Sequence, residues 1–448
     1  MSKKIVIIGG GPAGIEAAKA AQRQGADVTI VSNAPVGGRA GWHSLLPSKV
    51  WLTVADTLGV FQEADVLGIA NPPIVQPDPA DVLERLRQVK AAWNEQQQQI
   101  LVDLGVEIIT GTAVFTTPDT IELQDKDGSV TGDMHADAFI ITTGSVPVFP
   151  LTMKPNGKGI IAPRFASALK RLPRSVIVVG GGATGSEFTY AFNGLGLDVT
   201  WVVDEDGVLP DFDPDAGAFL AGALVKQGVK LVLGHRATHI DDMGGCVQVQ
   251  LTNGTKRMAE MAFLAIGRKP DTGGLNLEAA GLAVENGTVA VDRYGRSANP
   301  GIYLAGDATG APMIANRAMA QAWTAGQHAA GGPARPFQPE TVVAAIYTQP
   351  QVAQIGKLSG SSVKTVQVPY TAGLKGHLLP EDGFVKLGYD GENGRIVGGV
   401  AVGPHAADIL APVMVAIQVK LHIEEFGALY SAHPTMSELV FMAARLVN

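Results

Sequence analysis

The chain has 448 residues, which is long enough for two to four domains, each with its own core. Hydrophobic residues make up 46% of it and charged residues 17%, so the composition fits a well-packed globular protein and excludes a disordered one. The net charge of −8 shows no excess of basic residues of the kind that binds nucleic acid. The single cysteine, Cys246, excludes an internal disulfide and suits a reducing compartment. The sequence has no run of roughly 18 apolar residues and no signal-peptide pattern, which predicts a cytoplasmic protein without a membrane span.

The first predicted unit is a strand, a glycine turn, a helix and a second strand between residues 4 and 32. In its Gly-x-Gly-x-x-Gly turn, Gly9 permits the tight bend, Gly11 lets a pyrophosphate approach the backbone, and Gly14 lets helix and strand pack closely. The helix N-terminus adds unpaired N–H groups for the phosphates. This pattern predicts a dinucleotide-binding βαβ unit.

A carboxylate usually follows the second strand of such a unit and binds the ribose. Here Ser32 and Asn33 occupy that place, and both side chains can still hydrogen-bond a ribose hydroxyl.

A long amphipathic helix is predicted over residues 80–104, followed by a β-meander with a return strand over residues 106–141. A second strand–turn–helix–strand unit then spans residues 175–203, with its glycine turn from Gly180 to Gly185. One such turn is a weak signal, but two in this frame predict binding of two dinucleotides.

Asp204 and the acidic residue after it follow the second unit, one step later than expected for a ribose-binding carboxylate. Acidic side chains repel a 2′-phosphate, and the sequence offers no arginine pair there to receive one. This favours NAD(H) over NADP(H).

The last third of the chain begins with a helix predicted over residues 315–330 and a glycine- and proline-rich boundary over residues 331–336. Beyond it, strands are predicted at 384–389 and 396–402, and helices at 405–421 and 436–447. This part is predicted to be a separate α+β domain.

Over nearly its whole length the chain resembles the FAD-dependent pyridine nucleotide-disulfide oxidoreductases, the family of dihydrolipoamide dehydrogenase, glutathione reductase and mercuric reductase. Besides the two glycine turns, the motifs that carry the resemblance are Thr143 to Pro147, Ala265 to Pro270, Leu304 to Asp307, Tyr347 to Pro350, Ala353 to Gly356 and Ala432 to Glu438.

The resemblance implies an α/β fold with two Rossmann-like dinucleotide-binding domains, one for FAD and one for NAD, plus a C-terminal α+β dimerisation domain. The expected division is residues 1–147 and 268–336 for FAD, 148–267 for NAD(H) and 337–448 for a homodimer interface.

The segment from Gly37 to Lys49 departs from the family. It keeps the frame Gly-Gly-Thr-Cys-x4-Cys-x-Pro-Ser-Lys, but Ala40 and Leu45 stand at the positions of the two redox cysteines. An alanine and a leucine cannot form a disulfide. The sequence therefore excludes the usual dithiol route to lipoamide, glutathione or mercuric ion.

The resemblance also implies a set of cofactor-binding residues. These are Gly9, Gly11, Pro12, Ala13, Gly14, Ser32, Asn33, Gly38, Arg39, Lys49, Ala113, Thr143, Gly144, Ser145, Gly180, Gly182, Ala183, Thr184, Gly185, Glu187, Asp204, Gly267, Gly306, Asp307, Met313, Ile314 and Ala315.

Four residues carry implied catalytic roles. Lys49 is expected near flavin N5, paired with Glu187, because a cation there stabilises the anionic reduced flavin and a carboxylate makes its burial tolerable. His433, oriented by Glu438, is the acid/base that completes the partner subunit's site in the family. Because this chain lacks the redox thiols, the histidine either protonates a different acceptor or has only a structural role at the dimer contact.

Arg39, Trp42 and His43 lie on the helix that the resemblance turns toward the flavin. One interpretation is an acceptor pocket, in which Trp42 stacks on a planar ring and Arg39 or His43 meets an anionic oxygen. The other is that Trp42 fills the volume left by the disulfide and Arg39 contacts FAD phosphate.

The function predicted from these residues is an NADH-dependent FAD oxidoreductase that passes electrons directly to a small non-disulfide acceptor such as a quinone. Two alternatives stay open: a soluble pyridine nucleotide transhydrogenase-like enzyme, and an FAD–NAD-binding electron-transfer subunit or sensor serving a protein partner. The sequence has no clustered metal-ligand spacing, so no metal is predicted.

Overall fold

The structure is a computed structural model that describes residues 2–71, 73–378 and 382–447. The strands are β1 (Lys4–Ile8), β2 (Asp27–Ser32), β3 (Glu107–Thr110), β4 (Thr112–Thr117), β5 (Thr120–Gln124), β6 (Val130–His135), β7 (Ala138–Ile141), β8 (Ser145–Pro147), β9 (Ile160–Ile161), β10 (Ser175–Val179), β11 (Asp198–Val203), β12 (Lys230–Leu233), β13 (Ala237–Asp242), β14 (Val247–Leu251), β15 (Lys256–Ala259), β16 (Met261–Leu264), β17 (Arg268–Pro270), β18 (Ile302–Leu304), β19 (Ala344–Ile346), β20 (Val352–Gly356), β21 (Val363–Pro369), β22 (Phe384–Asp390) and β23 (Ile396–Val402).

The α-helices are α1 (Pro12–Gln22), α2 (Gly38–His43), α3 (Leu45–Gln62), α4 (Pro79–Asp103), α5 (Ala183–Gly194), α6 (Pro214–Lys226), α7 (Ala315–Ala329), α8 (Leu374–His377), α9 (Ala406–Ile409), α10 (Ala411–Val419), α11 (Ile423–Gly427) and α12 (Glu438–Ala444). Short 3-10 turns lie at Leu151–Met153, Pro163–Ala168, Gly306–Thr309, Pro339–Thr341 and Tyr370–Ala372.

The chain divides into two compact units. The first contains Met1–Pro47, Arg85–Val148 and Gly267–Gln338, and the second contains Ser48–Glu84, Phe149–Ile266 and Pro339–Asn448.

Each unit has a five-stranded parallel sheet. In the first unit the strand order is β18-β7-β1-β2-β3, and in the second it is β12-β11-β10-β16-β9. Central strands such as β1 and β10 are apolar on both faces and almost wholly buried, as expected for parallel strands covered on two sides. The two predicted βαβ units are therefore confirmed.

Antiparallel sheets complete both units. The β-meander predicted over residues 106–141 is confirmed as β4-β5-β6, after which β7 returns to the parallel sheet. In the second unit, β13-β14-β15 form a small sheet and β19-β20-β23-β22-β21 form the C-terminal one. The C-terminal part is α+β, as predicted.

Two predicted helices differ from the structure. The helix predicted over 405–421 is broken into α9 and α10, because Pro412 lies in the first turn of α10 and cannot continue an incoming helix. The helix predicted over 436–447 is shorter, spanning only α12. In the described part of the chain, no helix has both the length and the apolar character that a membrane crossing requires.

Candidate active site

The first glycine turn joins β1 to α1 and leaves the start of the helix open. A Cβ added to Gly14 would lie 1.9 Å from the carbonyl oxygen of Gly9, so only glycine fits where the helix crosses the turn. Gly11 is the N-cap, and no side chain caps the helix there. Pro12 and Ala13 begin α1. The uncapped helix start suits a bound anion.

Ser32 and Asn33, at the end of β2, make local contacts. The Ser32 hydroxyl donates to Ala34 O at 2.8 Å, and Asn33 Nδ2 lies 3.4 Å from Thr112 Oγ1. Ala113, the next residue on β4, is 2% exposed and lies in a core cluster that also contains Val31 of β2.

Arg39 holds the turn that follows β7. Its Nη1 donates to Thr143 O and to Ser145 O, each at 3.1 Å, and its Nη2 forms an ion pair with Asp271. Gly144 in this turn has a φ of 75° and accepts from Asp271 N at 2.9 Å. The guanidinium therefore has protein partners on both terminal nitrogens.

Asp307 is tied to the same turn. Ser145 Oγ donates to Asp307 Oδ2 at 2.5 Å and accepts from Arg268 Nε at 2.8 Å. The side-chain oxygen of Gln321, on α7, accepts a hydrogen bond from Gly306 N at 3.0 Å. This bond fixes the backbone just before Asp307. The structure thus brings Arg39, Ser145 and Asp307 into one network.

Further predicted FAD residues of the first unit lie at the start of α2, at the start of α7 and beside the β8–β17 pair. Gly38 has a φ of 56°, and a Cβ added to it would lie 2.8 Å from Gly11 Cα, so α2 begins against the first glycine turn. Met313 and Ile314 lead into α7, whose first residue is Ala315 and whose N-cap Ile314 provides no side-chain bond. Gly267 accepts from Val148 N at 3.1 Å beside the β8–β17 pair.

Trp42 is held by protein contacts. Its indole Nε1 donates to Val36 O at 2.9 Å, and Lys90 Nζ lies 5.1 Å from the ring centroid and donates to Trp42 O at 2.8 Å. Burial lowers the pKa of the Lys90 amine. The half-buried Trp42 thus has protein partners for its indole nitrogen, its ring and its main-chain oxygen.

The second glycine turn repeats the geometry of the first. A Cβ added to Gly185 would lie 2.0 Å from Gly180 O, and the N-cap Gly182 carries no side-chain cap. Ala183 and Thr184 then begin α5.

Asp204 lies directly after β11, as predicted, and an arginine lies beside it. Arg236 Nε is 3.9 Å from Asp204 Oδ2, and its Nη2 donates to Glu205 at 2.6 Å. Sequence reasoning missed Arg236, because it follows β12 and is brought here only by the β11–β12 pairing.

Lys49 and Glu187 form the predicted pair. Lys49 Nζ lies 2.7 and 2.9 Å from the two Glu187 carboxylate oxygens. Glu187 is only 8% exposed, so Lys49 is the cation that accompanies a largely buried carboxyl group. Tyr347 N also donates to Glu187 Oε1 at 3.1 Å, and the Tyr347 ring centroid lies 4.5 Å from Lys49 Nζ. The tyrosine was known from the sequence only as part of a motif.

His433 and Glu438 form a second pair. His433 Nδ1 is 2.9 Å from Glu438 Oε1, and Glu438 Oε2 accepts from Thr435 N at 2.9 Å. The bond from Thr435 N, followed by the histidine contact, lowers the pKa of Glu438. The imidazole is exposed, so its other edge can meet a second molecule.

The fold and these sites define a class of protein. Residues 3–322 match the family model described as pyridine nucleotide-disulphide oxidoreductase, and residues 342–444 match that family's dimerisation domain. The chain belongs to this family of flavoprotein oxidoreductases, as the sequence motifs predicted. The residues present fit FAD: α1 starts uncapped, and Thr143 Oγ1 is buried without a partner among the described residues.

Curated relatives align over almost the whole chain. An NAD(P)H dehydrogenase (quinone) of Mycobacterium tuberculosis is 32% identical over 99% of this chain and 94% of its own length. A dihydrolipoyl dehydrogenase 2 of Haloarcula marismortui is 29% identical over 98% and 96%, and a glutathione reductase of Burkholderia cepacia is 29% identical over 97% and 96%.

Solved structures agree in fold. LpdA from Mycobacterium tuberculosis superposes with a TM-score of 0.93 and 31% identity, with both chains fully covered. The flavoprotein disulfide reductase RclA from Escherichia coli, in its Cu(II) complex, gives 0.85 at 22% identity with both chains fully covered, which shows the fold alone.

Proposed function

We propose that this protein is an NADH-dependent FAD oxidoreductase without a redox disulfide, which passes electrons directly to a small acceptor of the quinone type. The observation that carries the proposal is the Lys49–Glu187 ion pair, retained in a chain whose only cysteine is Cys246. The name of the Mycobacterium tuberculosis relative, NAD(P)H dehydrogenase (quinone), supports the acceptor class.

In this proposal residues 1–147 with 268–336 bind FAD, and residues 148–267 bind NADH. The start of α1 would hold the FAD pyrophosphate, and Asp307, held by Ser145, would hydrogen-bond its ribityl chain. The start of α5 would hold the NADH pyrophosphate. The predicted division into 1–147 with 268–336, 148–267 and 337–448, the last forming a homodimer, belongs to the same proposal.

FAD supplies the redox chemistry, taking two electrons from NADH and giving them to the acceptor. In the overall reaction, NADH, one proton and a quinone give NAD⁺ and a hydroquinone. Lys49 would provide a positive charge near the bound flavin, as the family resemblance implies, and Glu187 would hold that lysine through their ion pair.

The acidic pair Asp204 and Glu205 supports NADH over NADPH. Arg236 does not reverse this expectation, because its guanidinium is already paired with Glu205 at 2.6 Å. Glu205→Ala removes the shorter of the two acidic contacts of Arg236 and one negative charge, and we expect it to raise kcat/KM for NADPH relative to NADH. An unchanged ratio contradicts the assignment of these residues to the nucleotide ribose.

Two roles fit His433: proton donor to the acceptor in the partner subunit, or a structural contact at the dimer interface. His433→Ala separates them. A selective loss of turnover with quinones identifies the proton donor, and unchanged turnover with every acceptor identifies the structural contact.

The decisive test is an anaerobic half-reaction followed by an acceptor screen. NADH is expected to bleach the flavin, and a water-soluble naphthoquinone to reoxidise it faster than NADP⁺ or lipoamide. Flavin that NADH does not bleach contradicts the proposal. Bleached flavin that NADP⁺ reoxidises best identifies a transhydrogenase, and flavin that none of these compounds reoxidises points to a protein acceptor.

Replacing Lys49 by Met is expected to slow flavin reduction by NADH by about a hundredfold, the usual cost of losing one electrostatic stabiliser. Stopped-flow absorbance of the flavin measures the rate. Lys230→Met is the matched control, because it breaks a surface pair of the same 2.7 Å length with Asp198. Equal rates for the two variants exclude a role for Lys49 in flavin reduction.

A further inference from the structure

Tyr347 contacts both members of the Lys49–Glu187 pair. Its backbone N–H donates to Glu187 Oε1 at 3.1 Å, on the carboxylate oxygen that also lies 2.7 Å from Lys49 Nζ. Its ring centroid lies 4.5 Å from the same Nζ, within the range of a cation–π contact. One residue therefore restrains the carboxylate through its main chain and the ammonium through its ring.

The ammonium needs such a restraint more than the carboxylate does. Glu187 lies on α5 and is 8% exposed, so packing already fixes it. The Lys49 side chain is 32% exposed and ends a flexible four-carbon stem. The ion pair holds Nζ toward Glu187, and the Tyr347 ring lies against it as a second surface.

The backbone of Tyr347 is itself rigid. The preceding residue, Ile346, is 2% exposed and pairs with Val352 across β19 and β20. The following residue, Thr348, is 1% exposed, and its hydroxyl donates to Pro350 O at 2.6 Å. The ring therefore projects from a fixed point of the second unit.

The phenol adds no competing charge. Tyr347 is 42% exposed, and partial burial of its phenol raises the pKa of Tyr347, with the carboxylates of Glu187 and Asp408 adding to the effect. The hydroxyl stays neutral at physiological pH, so the face of the ring, with its negative quadrupole, is what the ammonium meets.

We propose that Tyr347 is a positioning residue that confines the Lys49 ammonium against Glu187, so that its positive charge stays in one place during flavin reduction. The inference rests on the proposed function, since it assigns a task to the same ion pair. The inference assigns this role to Tyr347 without requiring its side chain to contact either NADH or the electron acceptor.

The variants are Tyr347→Leu, which keeps the N–H but removes the ring, and Tyr347→Phe, which restores the ring without the hydroxyl. The control is Tyr430→Leu, which removes an aromatic ring 4.5 Å from the Arg445 guanidinium in the same unit. We expect Tyr347→Leu to slow anaerobic flavin reduction by NADH about tenfold, Tyr347→Phe to recover most of the rate, and Tyr430→Leu to match the unaltered protein.

Two further measurements do not depend on turnover. The flavin midpoint potential of Tyr347→Leu is expected to fall by about 30 mV, the two-electron equivalent of a tenfold change. Acylation of Lys49 by acetic anhydride, followed by mass spectrometry, is expected to be several-fold faster in Tyr347→Leu than in Tyr347→Phe or Tyr430→Leu. The labelling is measured with and without FAD.

An unchanged reduction rate, together with unchanged Lys49 labelling in Tyr347→Leu, overturns the inference. If Lys49→Met reduces normally while Tyr347→Leu labels faster, the proposed role of Lys49 fails but its confinement by Tyr347 stands. If Lys49→Met is slow while Tyr347→Leu reduces and labels normally, this inference alone fails. Should Tyr347→Leu not fold, Tyr347→Met replaces it and is read in the same way.

Discussion

At the scale of single residues, the hydroxyl of Ser145 joins several polar side chains of the first unit. It donates to Asp307 and accepts from Arg268, while the carbonyl of the same residue accepts from Arg39 and Arg268. Ser145 is 2% exposed, so these bonds are shielded from water. The serine therefore fixes the carboxylate proposed to bind the ribityl chain.

Ser145→Ala is expected to weaken FAD binding roughly tenfold, because hydrogen bonds to charged groups contribute about 1.5–3 kcal/mol and Asp307 loses one. Fluorescence titration of the apoprotein with FAD measures the dissociation constant. Ser297→Ala is the control: Ser297 is also buried in the first unit, but its hydroxyl donates only to the main-chain oxygen of Asn299. Equal affinities for both variants contradict the role of Ser145.

At the scale of elements, α3 and α5 are joined by two polar pairs. Besides Lys49 and Glu187, the hydroxyl of Tyr190 donates to Asp56 Oδ1 at 2.6 Å. Asp56 lies about two turns after Lys49, and Tyr190 about one turn after Glu187. Partial burial of the Asp56 carboxyl beside Tyr190 raises the pKa of Asp56, although the residue as a whole is exposed, and the tyrosine bond only partly offsets this effect. The α3–α5 contact thus includes a carboxyl that resists ionisation.

Because the pKa of Asp56 is higher in the folded state than in the unfolded state, its protonated carboxyl stabilises the folded protein at low pH. This contribution is complete below the unfolded-state pKa of about 3.9 and is lost as the pH rises through the folded-state pKa. Asp56→Asn keeps an acceptor for Tyr190 but removes the titration. Relative to the unaltered protein, we expect it to gain stability as the pH rises from 4 to about 8, measured by urea unfolding at each pH. Asp211→Asn is the control, because Asp211 is also exposed but its side chain makes no hydrogen bond or ion pair within the described residues. A stability difference that does not vary with pH contradicts this account.

The packing of α1 against α7 depends on small residues. A Cβ added to Gly326 would lie 2.4 Å from Ala17 O and 3.0 Å from Ala20 Cβ. Alanines on both helices line the rest of this contact within one core cluster. The first unit therefore allows almost no added volume between these helices.

Gly326→Ala is expected to lower the free energy of unfolding by about 1–3 kcal/mol through overpacking, despite the better helix propensity of alanine. Gly222→Ala in α6 is the matched control, because a Cβ there meets no atom within 4 Å. The control is expected to raise stability by about 0.5–1 kcal/mol. Urea unfolding of both variants checks the opposite signs, and a shared sign contradicts the packing argument.

At the scale of the whole molecule, each compact unit is assembled from three separate stretches of chain. The first unit has two main core clusters and the second has three, and each cluster lies within one unit. The Lys49–Glu187 pair joins residues 138 positions apart, and the Ser145–Asp307 bond spans 162. Each of these two contacts, one in the second unit and one in the first, therefore depends on long-range assembly within its own unit, although its residues belong to short motifs.

Much of this was predictable because the signals are local. The strand β1, its glycine turn and α1 all lie within about 30 residues. An apolar run predicts the strand, and glycines at positions where no side chain fits predict the turn and the start of the helix. The pairing of Lys49 with Glu187 was predictable only through the family resemblance. The break between α9 and α10 was missed, although Pro412 was its local signal.

The sequence by itself determined the two dinucleotide turns, the family, and the absence of a second thiol, because glycines, strand patterns and cysteine number can be read without knowing any distant contact. Only the tertiary structure decided that Tyr347 lies on Lys49, that Arg236 is paired with Glu205, and that Arg39 holds the turn at Ser145. Side chains far apart in sequence meet only after strands pair and helices pack, and no local pattern encodes which of them will touch.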